Sequence, residues 1–166
     1  MIEWLTVAGG YLFWPGGRVR AALGKGGLSS SKREGDGATP IGVFPLRGLL
    51  YRADRLPKPH TGLALSAIEP GDGWSDDPAD PLYNRPVPLP HPYSHELLWR
   101  ADGLYDLVVP LGYNDDPPVP GLGSAIFLHC ARPDYGPTEG CVAVAAPDLL
   151  HLLAGCGPGT RIEIAL

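Results

Sequence analysis

The chain is predicted to fold as a single, mainly β domain, and three features of its 166 residues carry that expectation. Gly (23) and Pro (20) make up about a quarter of the chain, well above ordinary usage, and they are spread without a fixed period. That spacing divides the sequence into many short segments joined by turns, which favours β structure over long helices. Apolar residues, at 44%, suffice for one real core at this length, and two full domains would not fit. Any helices are expected to be short, the clearest near residues 147–154, with Pro and Asp at its start, clustered leucines and Gly155 at its end.

Taken in order, residues 2–7 and 11–14 read as short strands around the turn Ala8-Gly9-Gly10. Arg18 to Leu23 alternates and then reaches Gly24-Lys25-Gly26-Gly27, where the chain must turn or pass close to another backbone. This cluster lacks the spacing and the Lys-Ser/Thr ending of a phosphate loop. Ser29 to Gly37 is polar and expected at the surface, with Asp36 and Thr39 as turn residues. Pro40 cannot donate to a ladder, so the next strand is expected over Ile41 to Leu46. The sheet continues through Leu63-Ala64-Leu65.

Residues 69–92 are so rich in Pro, Asp and Gly that they read as one long loop, of the kind that is usually functional or mobile. Its Trp74, Asp76, Asp77, Tyr83, Asn84 and Arg85 would suit a polar ligand. Ser94–Arg100 and Leu104–Pro110 are expected to pair as strands around Ala101-Asp102-Gly103. A loop stiffened by Pro117, Pro118 and Pro120 follows. Thr160 to Leu166 alternates cleanly as a last strand.

Several classes are set aside by composition. Formal net charge is −5 and the 13 basic residues form no stripe, so nucleic acid is not an expected partner. No apolar run approaches the roughly 18 residues of a membrane span, so no membrane insertion is expected. Met1 to Val7 lacks the charged start and apolar stretch of a secretory signal. The expected location is cytoplasmic, or periplasmic if an export signal has been removed. Cys130, Cys141 and Cys156 are too few and oddly numbered for a disulfide framework. One functional thiol among structural ones, in a reducing compartment, fits better.

The chemistry gathers in Ser124 to Val144. An apolar run, Ala125 to Leu128, ends on His129; a Pro- and Gly-containing loop then leads to Gly140-Cys141 and a second apolar run. This order can set an imidazole beside a thiol in a rigid frame, as a cysteine nucleophile requires. The imidazole takes the thiol proton and later protonates a leaving amine. Gly140 allows close approach to the backbone, and amides at 139 to 141 can point at a developing oxyanion. A metal reading would draw on His129, Cys130, Cys141 and His151. Cys130 follows His129 directly on a strand and faces the other way, and no Cys-x-x-Cys knuckle is present. No metal and no cofactor are expected.

The segment resembles the catalytic motif of the YkuD-type L,D-transpeptidases, in which a His is followed after a loop by Ser/Thr-His-Gly-Cys. Here His129 is followed by Thr138-Glu139-Gly140-Cys141, and Thr39-Pro40-Ile41-Gly42-Val43-Phe44 is similar to an upstream segment of that family. The resemblance implies a YkuD-like β-sandwich and a thioester mechanism on peptidoglycan stem peptides. Cys141 would be the nucleophile, His129 the base and then acid, Gly140 and Cys141 the oxyanion amides, and the Cys130 carbonyl the group orienting the imidazole. Three departures point to a divergent branch. Glu139 replaces the family's His, Ala143 stands where Asn or Arg is typical, and the His-to-Cys loop is short.

A cytoplasmic member would meet soluble muropeptides, with water as acceptor. The expected activity is therefore an L,D-carboxypeptidase that releases terminal D-Ala from tetrapeptides. A periplasmic cross-linking transpeptidase and a non-catalytic peptidoglycan-binding module are the alternatives. A free carboxylate calls for a guanidinium, with Arg132 the first choice and Arg85 the second. Thr138, Glu139, Tyr113, Asn114, Trp74 and His95 are further candidates for lining the site.

Overall fold

The computed structural model describes residues Met1–Leu166. In chain order the strands are β1 (Trp4–Ala8), β2 (Tyr11–Trp14), β3 (Gly17–Arg20), β4 (Leu28–Ser29), β5 (Thr39–Pro40), β6 (Gly42–Pro45), β7 (Leu49–Tyr51) and β8 (Leu65–Ala67). They continue with β9 (Asp72–Ser75), β10 (Pro86–Pro88), β11 (His95–Leu97), β12 (Leu107–Pro110), β13 (Phe127–Cys130) and β14 (Val142–Val144). Helix α1 (Ala146–Leu153) and β15 (Arg161–Ile164) complete the chain. No helix is long and apolar enough to cross a membrane.

Two five-stranded sheets, ordered β3-β2-β1-β15-β6 and β14-β13-β12-β7-β8, face each other across the main core. Alternation builds that core. In the parallel pair β1/β15, Leu5 lies opposite Ile162 and Val7 opposite Ile164, and all four are buried. The second sheet contributes Leu49, Leu107, Val109, Leu128, Val142 and Val144 from its inner face. Helix α1 carries Pro147 and Asp148 in its first turn and inserts Leu149, Leu152 and Leu153 into the same core. Each fully buried leucine or isoleucine is worth roughly 1.5–3 kcal/mol of transfer free energy.

The expected mainly β character, the helix, the first hairpin and the last strand all agree with this architecture. Other expectations do not: Lys32, within the stretch expected at the surface, is buried, and Pro40 lies within β5. Residues 69–92 are not one loop: β9 and β10 lie inside them and form, with β11, a small sheet ordered β10-β9-β11. Pro86 and Pro88 hid a strand that tolerates them because it lies at the sheet edge. The expected pairing of 94–100 with 104–110 also fails, since β11 pairs with β9 while β12 lies between β13 and β7. All four residues of β12 are buried, which suits a central strand covered on both faces.

The small sheet covers the outer face of the second sheet. A second apolar cluster forms there from Ile68, Leu98, Leu104, Tyr105, Val108, Ala125, Phe127 and Cys141, with the Trp74 ring edge-on to Phe127 at 5.0 Å. The second sheet is therefore buried on both sides, and the outer side holds the chemistry.

Candidate active site

Register places the histidine and the cysteine together. In the parallel pair β13/β14, Leu128 lies opposite Val142 and His129 opposite Ala143. Leu128, Cys130, Val142 and Val144 turn into the main core, so Phe127, His129, Cys141 and Ala143 share the opposite face. His129 and Cys141 both line a cleft of about 310 Å³.

The turn before the cysteine is held by short-range polar contacts. Thr138 Oγ1 donates to the Cys141 carbonyl at 2.7 Å and accepts the Gly140 amide at 3.1 Å. Thr39, fully buried, accepts the Gly24 amide at 2.9 Å on Oγ1 and lies 3.5 Å from the same Cys141 carbonyl. Gly140 has φ +135°, a conformation L side chains avoid, and a Cβ there would stand 2.8 Å from the Ala38 carbonyl oxygen. The expected close approach at Gly140 is therefore made by the chain itself. The Gly140 amide is engaged by Thr138, whereas the Cys141 amide has no acceptor within the chain.

The thiol rests on main-chain groups. Cys141 Sγ donates to the Ala125 carbonyl at 3.3 Å and accepts the Phe127 amide at 3.3 Å, with no hydrogen bond to His129. Ala125 has φ +53°, and its amide donates to Oδ1 of buried Asn84 at 3.0 Å. Asn84 also accepts from Trp74 Nε1 and donates to the carbonyls of Tyr113 and Asn114. Burial pushes the Cys141 thiol up to about 12, reinforced by the carboxyl of Glu96.

His129 Nδ1 lies 2.9 Å from the Cys130 carbonyl oxygen. Donation to that carbonyl leaves the basic lone pair on Nε2. The Tyr105 ring stands edge-on to the imidazole at 5.2 Å. Burial lowers the His129 pKa to about 4, so the ring is neutral across the physiological range. The resting pair is thus a neutral thiol and a neutral imidazole.

Of the remaining sequence candidates, Arg132, Thr138 and Glu139 line the same cleft. Glu139 sits at its exposed rim, paired with Lys25 at 2.8 Å. Arg85 and Trp74 border a different cavity, of about 470 Å³, with Arg47, Asp115 and Asp116. Tyr113, Asn114 and His95 line neither. The Tyr113 hydroxyl donates to the Leu122 carbonyl, Asn114 braces Val119 and Gly123, and His95 Nδ1 contacts the Tyr93 carbonyl. These side chains hold loops in place.

Sequence reasoning missed Lys32, Glu34, Glu96, Arg100 and Tyr105, all of which line the cleft. Glu34 Oε1 accepts from the hydroxyls of Tyr83 and Ser124, each at 2.6 Å. Glu96 accepts from Tyr105 at 3.1 Å, and burial raises its carboxyl to about 7. Glu96 sits one residue from His95 on β11, a strand the sequence predicts but pairs with the wrong partner, so only tertiary packing reveals its place in the cleft. No group of three or more His, Cys, Asp or Glu side chains converges on a metal position.

Residues 6–164 match the YkuD family, described as the L,D-transpeptidase catalytic domain. The crystal structure of Mycobacterium tuberculosis L,D-transpeptidase 1 is similar, with a TM-score of 0.46 and 12% identity. That alignment covers 98% of this chain and 58% of the mycobacterial one, so the chain spans little more than half of that relative's length. No curated protein matches the chain in sequence.

Proposed function

The chain belongs to the YkuD family of L,D-transpeptidase catalytic domains, and from that premise we propose that it is a cysteine L,D-carboxypeptidase that removes terminal D-Ala from muropeptide tetrapeptides. The observation that carries the reading is the placement of His129 and Cys141 on one face of the sheet, at neighbouring strands and in one cleft, beside an unoccupied Cys141 amide.

In this reading the Cys141 thiol leaves the Ala125 carbonyl and gives its proton to His129 Nε2 as Sγ attacks the peptide carbonyl carbon. The C–S bond forms, the carbonyl π electrons move onto oxygen, and the Cys141 amide donates to that oxyanion. Collapse restores the carbonyl and breaks the C–N bond, and the imidazolium returns its proton to the departing D-Ala amine. A water molecule then attacks the thioester. His129 takes its proton, the C–S bond breaks, and the thiolate recovers the proton from the imidazolium. The Cys130 carbonyl keeps the ring oriented throughout. The absence of a resting thiol–imidazole hydrogen bond is compatible with this sequence, because such contacts often tighten only when substrate binds.

Arg132 lines the cleft and is the proposed partner of the terminal carboxylate. Soluble muropeptides in the cytoplasm are the proposed substrates. The test is incubation with a disaccharide-tetrapeptide and mass analysis of the products. Release of free D-Ala with gain of water is expected; cross-linked dimers would replace hydrolysis by transpeptidation, and bound but unconverted peptide would remove the enzymatic reading.

A further inference from the structure

Lys32 is one of the few charged side chains fully enclosed by the protein, with its side chain 4% exposed. Burying an ammonium costs several kcal/mol unless it is paired and hydrogen-bonded. Its pairing is one-sided: Nζ donates to Asp36 Oδ1 at 2.9 Å and lies 3.4 Å from the Arg33 carbonyl. The Asp36 carboxylate also serves the amides of Arg33 and Ala38, so its charge is shared among three donors.

The route of this side chain depends on two glycines. Gly123 has φ +117°, and a Cβ there would stand 2.9 Å from Lys32 Cε. At Gly140 a Cβ would stand 3.4 Å from Lys32 Nζ. Two positions that lack side chains thus form a slot, and the slot brings the ammonium against the residue preceding Cys141. Lys32 lines the same cleft as Cys141 and His129.

We propose that Lys32 supplies the positive charge that stabilises the anions formed at Cys141, first the thiolate and then the tetrahedral oxyanion. The inference rests on Cys141 being the nucleophile. The cleft's other charged residues are Glu34, Asp76, Glu96, Glu139, Arg100 and Arg132. Glu96 opposes the Cys141 thiolate whereas Lys32 favours it. A lysine in this position also compensates for the feature that makes the site unfavourable to anions, the burial of the sulfur.

The test compares alkylation of Cys141 by anionic iodoacetate and by neutral iodoacetamide at one pH of about 10, where the small thiolate fraction of this buried thiol is larger than at neutral pH. Modification is mapped by mass spectrometry to separate Cys141 from Cys130 and Cys156. The iodoacetate-to-iodoacetamide rate ratio cancels accessibility, so a purely structural lysine would leave it unchanged. In K32M the ratio is expected to fall by roughly threefold or more, as the loss of one nearby charge requires; K32R should restore part of it. K32Q guards against a K32M that fails to fold, as judged by thermal melting. An unchanged ratio in a folded variant overturns the role of Lys32 and leaves the nucleophile reading intact. If Cys141 of the unmodified protein reacts with neither reagent, both fall. If neither variant folds, Lys32 is a structural ion and the assignment fails.

Discussion

The thiol of Cys141 rests 3.3 Å from the carbonyl oxygen of Ala125, so the proton of the candidate nucleophile is held by the main chain and not by His129. With burial pushing this thiol up to about 12, little thiolate exists at neutral pH. Alkylation of Cys141 by iodoacetamide is accordingly expected to keep rising through about pH 10, beyond the range where an ordinary cysteine levels off. A plateau near pH 8 would show that the sulfur is not held in this way.

His129 is neutral down to about pH 4 because burial disfavours its charged form. The acid limb of kcat/KM for the free enzyme is therefore expected near pH 4 and not near 6.5. The same depression acts on stability: the unfolded chain takes up the proton first, so the His129 contribution is present above about pH 6.5 and is lost as pH falls to about 4. His129→Gln should lower kcat/KM by about 10²- to 10⁴-fold. It should also flatten the urea-unfolding stability over that same pH interval.

Glu96 has the opposite sign of shift. Its folded pKa, raised from 4.5 to about 7, means that the folded state holds the proton longer than the unfolded state. Stability from this group is full below about pH 4.5 and declines as pH rises through 7. Glu96→Gln keeps an acceptor for the Tyr105 hydroxyl and removes the charge. Urea melts should show the variant more stable than the parent at about pH 8, by on the order of 1–3 kcal/mol, and nearly equal to it at about pH 4.

Gly140→Ala tests the turn that presents the cysteine. The φ of +135° and the 2.8 Å approach of a Cβ to the Ala38 carbonyl both oppose a side chain. A loss of roughly 2–4 kcal/mol is expected in chemical denaturation. Gly9→Asn is the control, since φ there is +57° but nothing lies within 4 Å of a Cβ. Its loss should be a few tenths of a kcal/mol, because Asn tolerates that conformation.

The legible parts of the sequence were those governed by period and punctuation. Thr160 to Leu166 alternates because β15 has one buried and one exposed face, and the Pro147, Asp148 and Gly155 signals bracket α1. The opposite facing of His129 and Cys130 followed from strand geometry alone. What composition concealed was long-range. Pro86 and Pro88 read as loop because their tolerance depends on an edge position that only sheet assembly defines. Lys32 and Glu96 lie in ordinary polar surroundings along the chain, and their burial arises only when distant segments close over them. Thr39 and Asp36, read as turn residues, brace the cysteine turn and pair with Lys32 respectively.

The central claim is that a substrate acyl group becomes attached to Cys141. Acid quenching during turnover of a disaccharide-tetrapeptide, followed by intact-protein and peptide mass analysis, tests it directly. The account predicts an adduct equal to the substrate less D-Ala, located on Cys141 and absent from Cys141→Ala. An adduct on Cys130 or Cys156, or undiminished D-Ala release by Cys141→Ala, would contradict it.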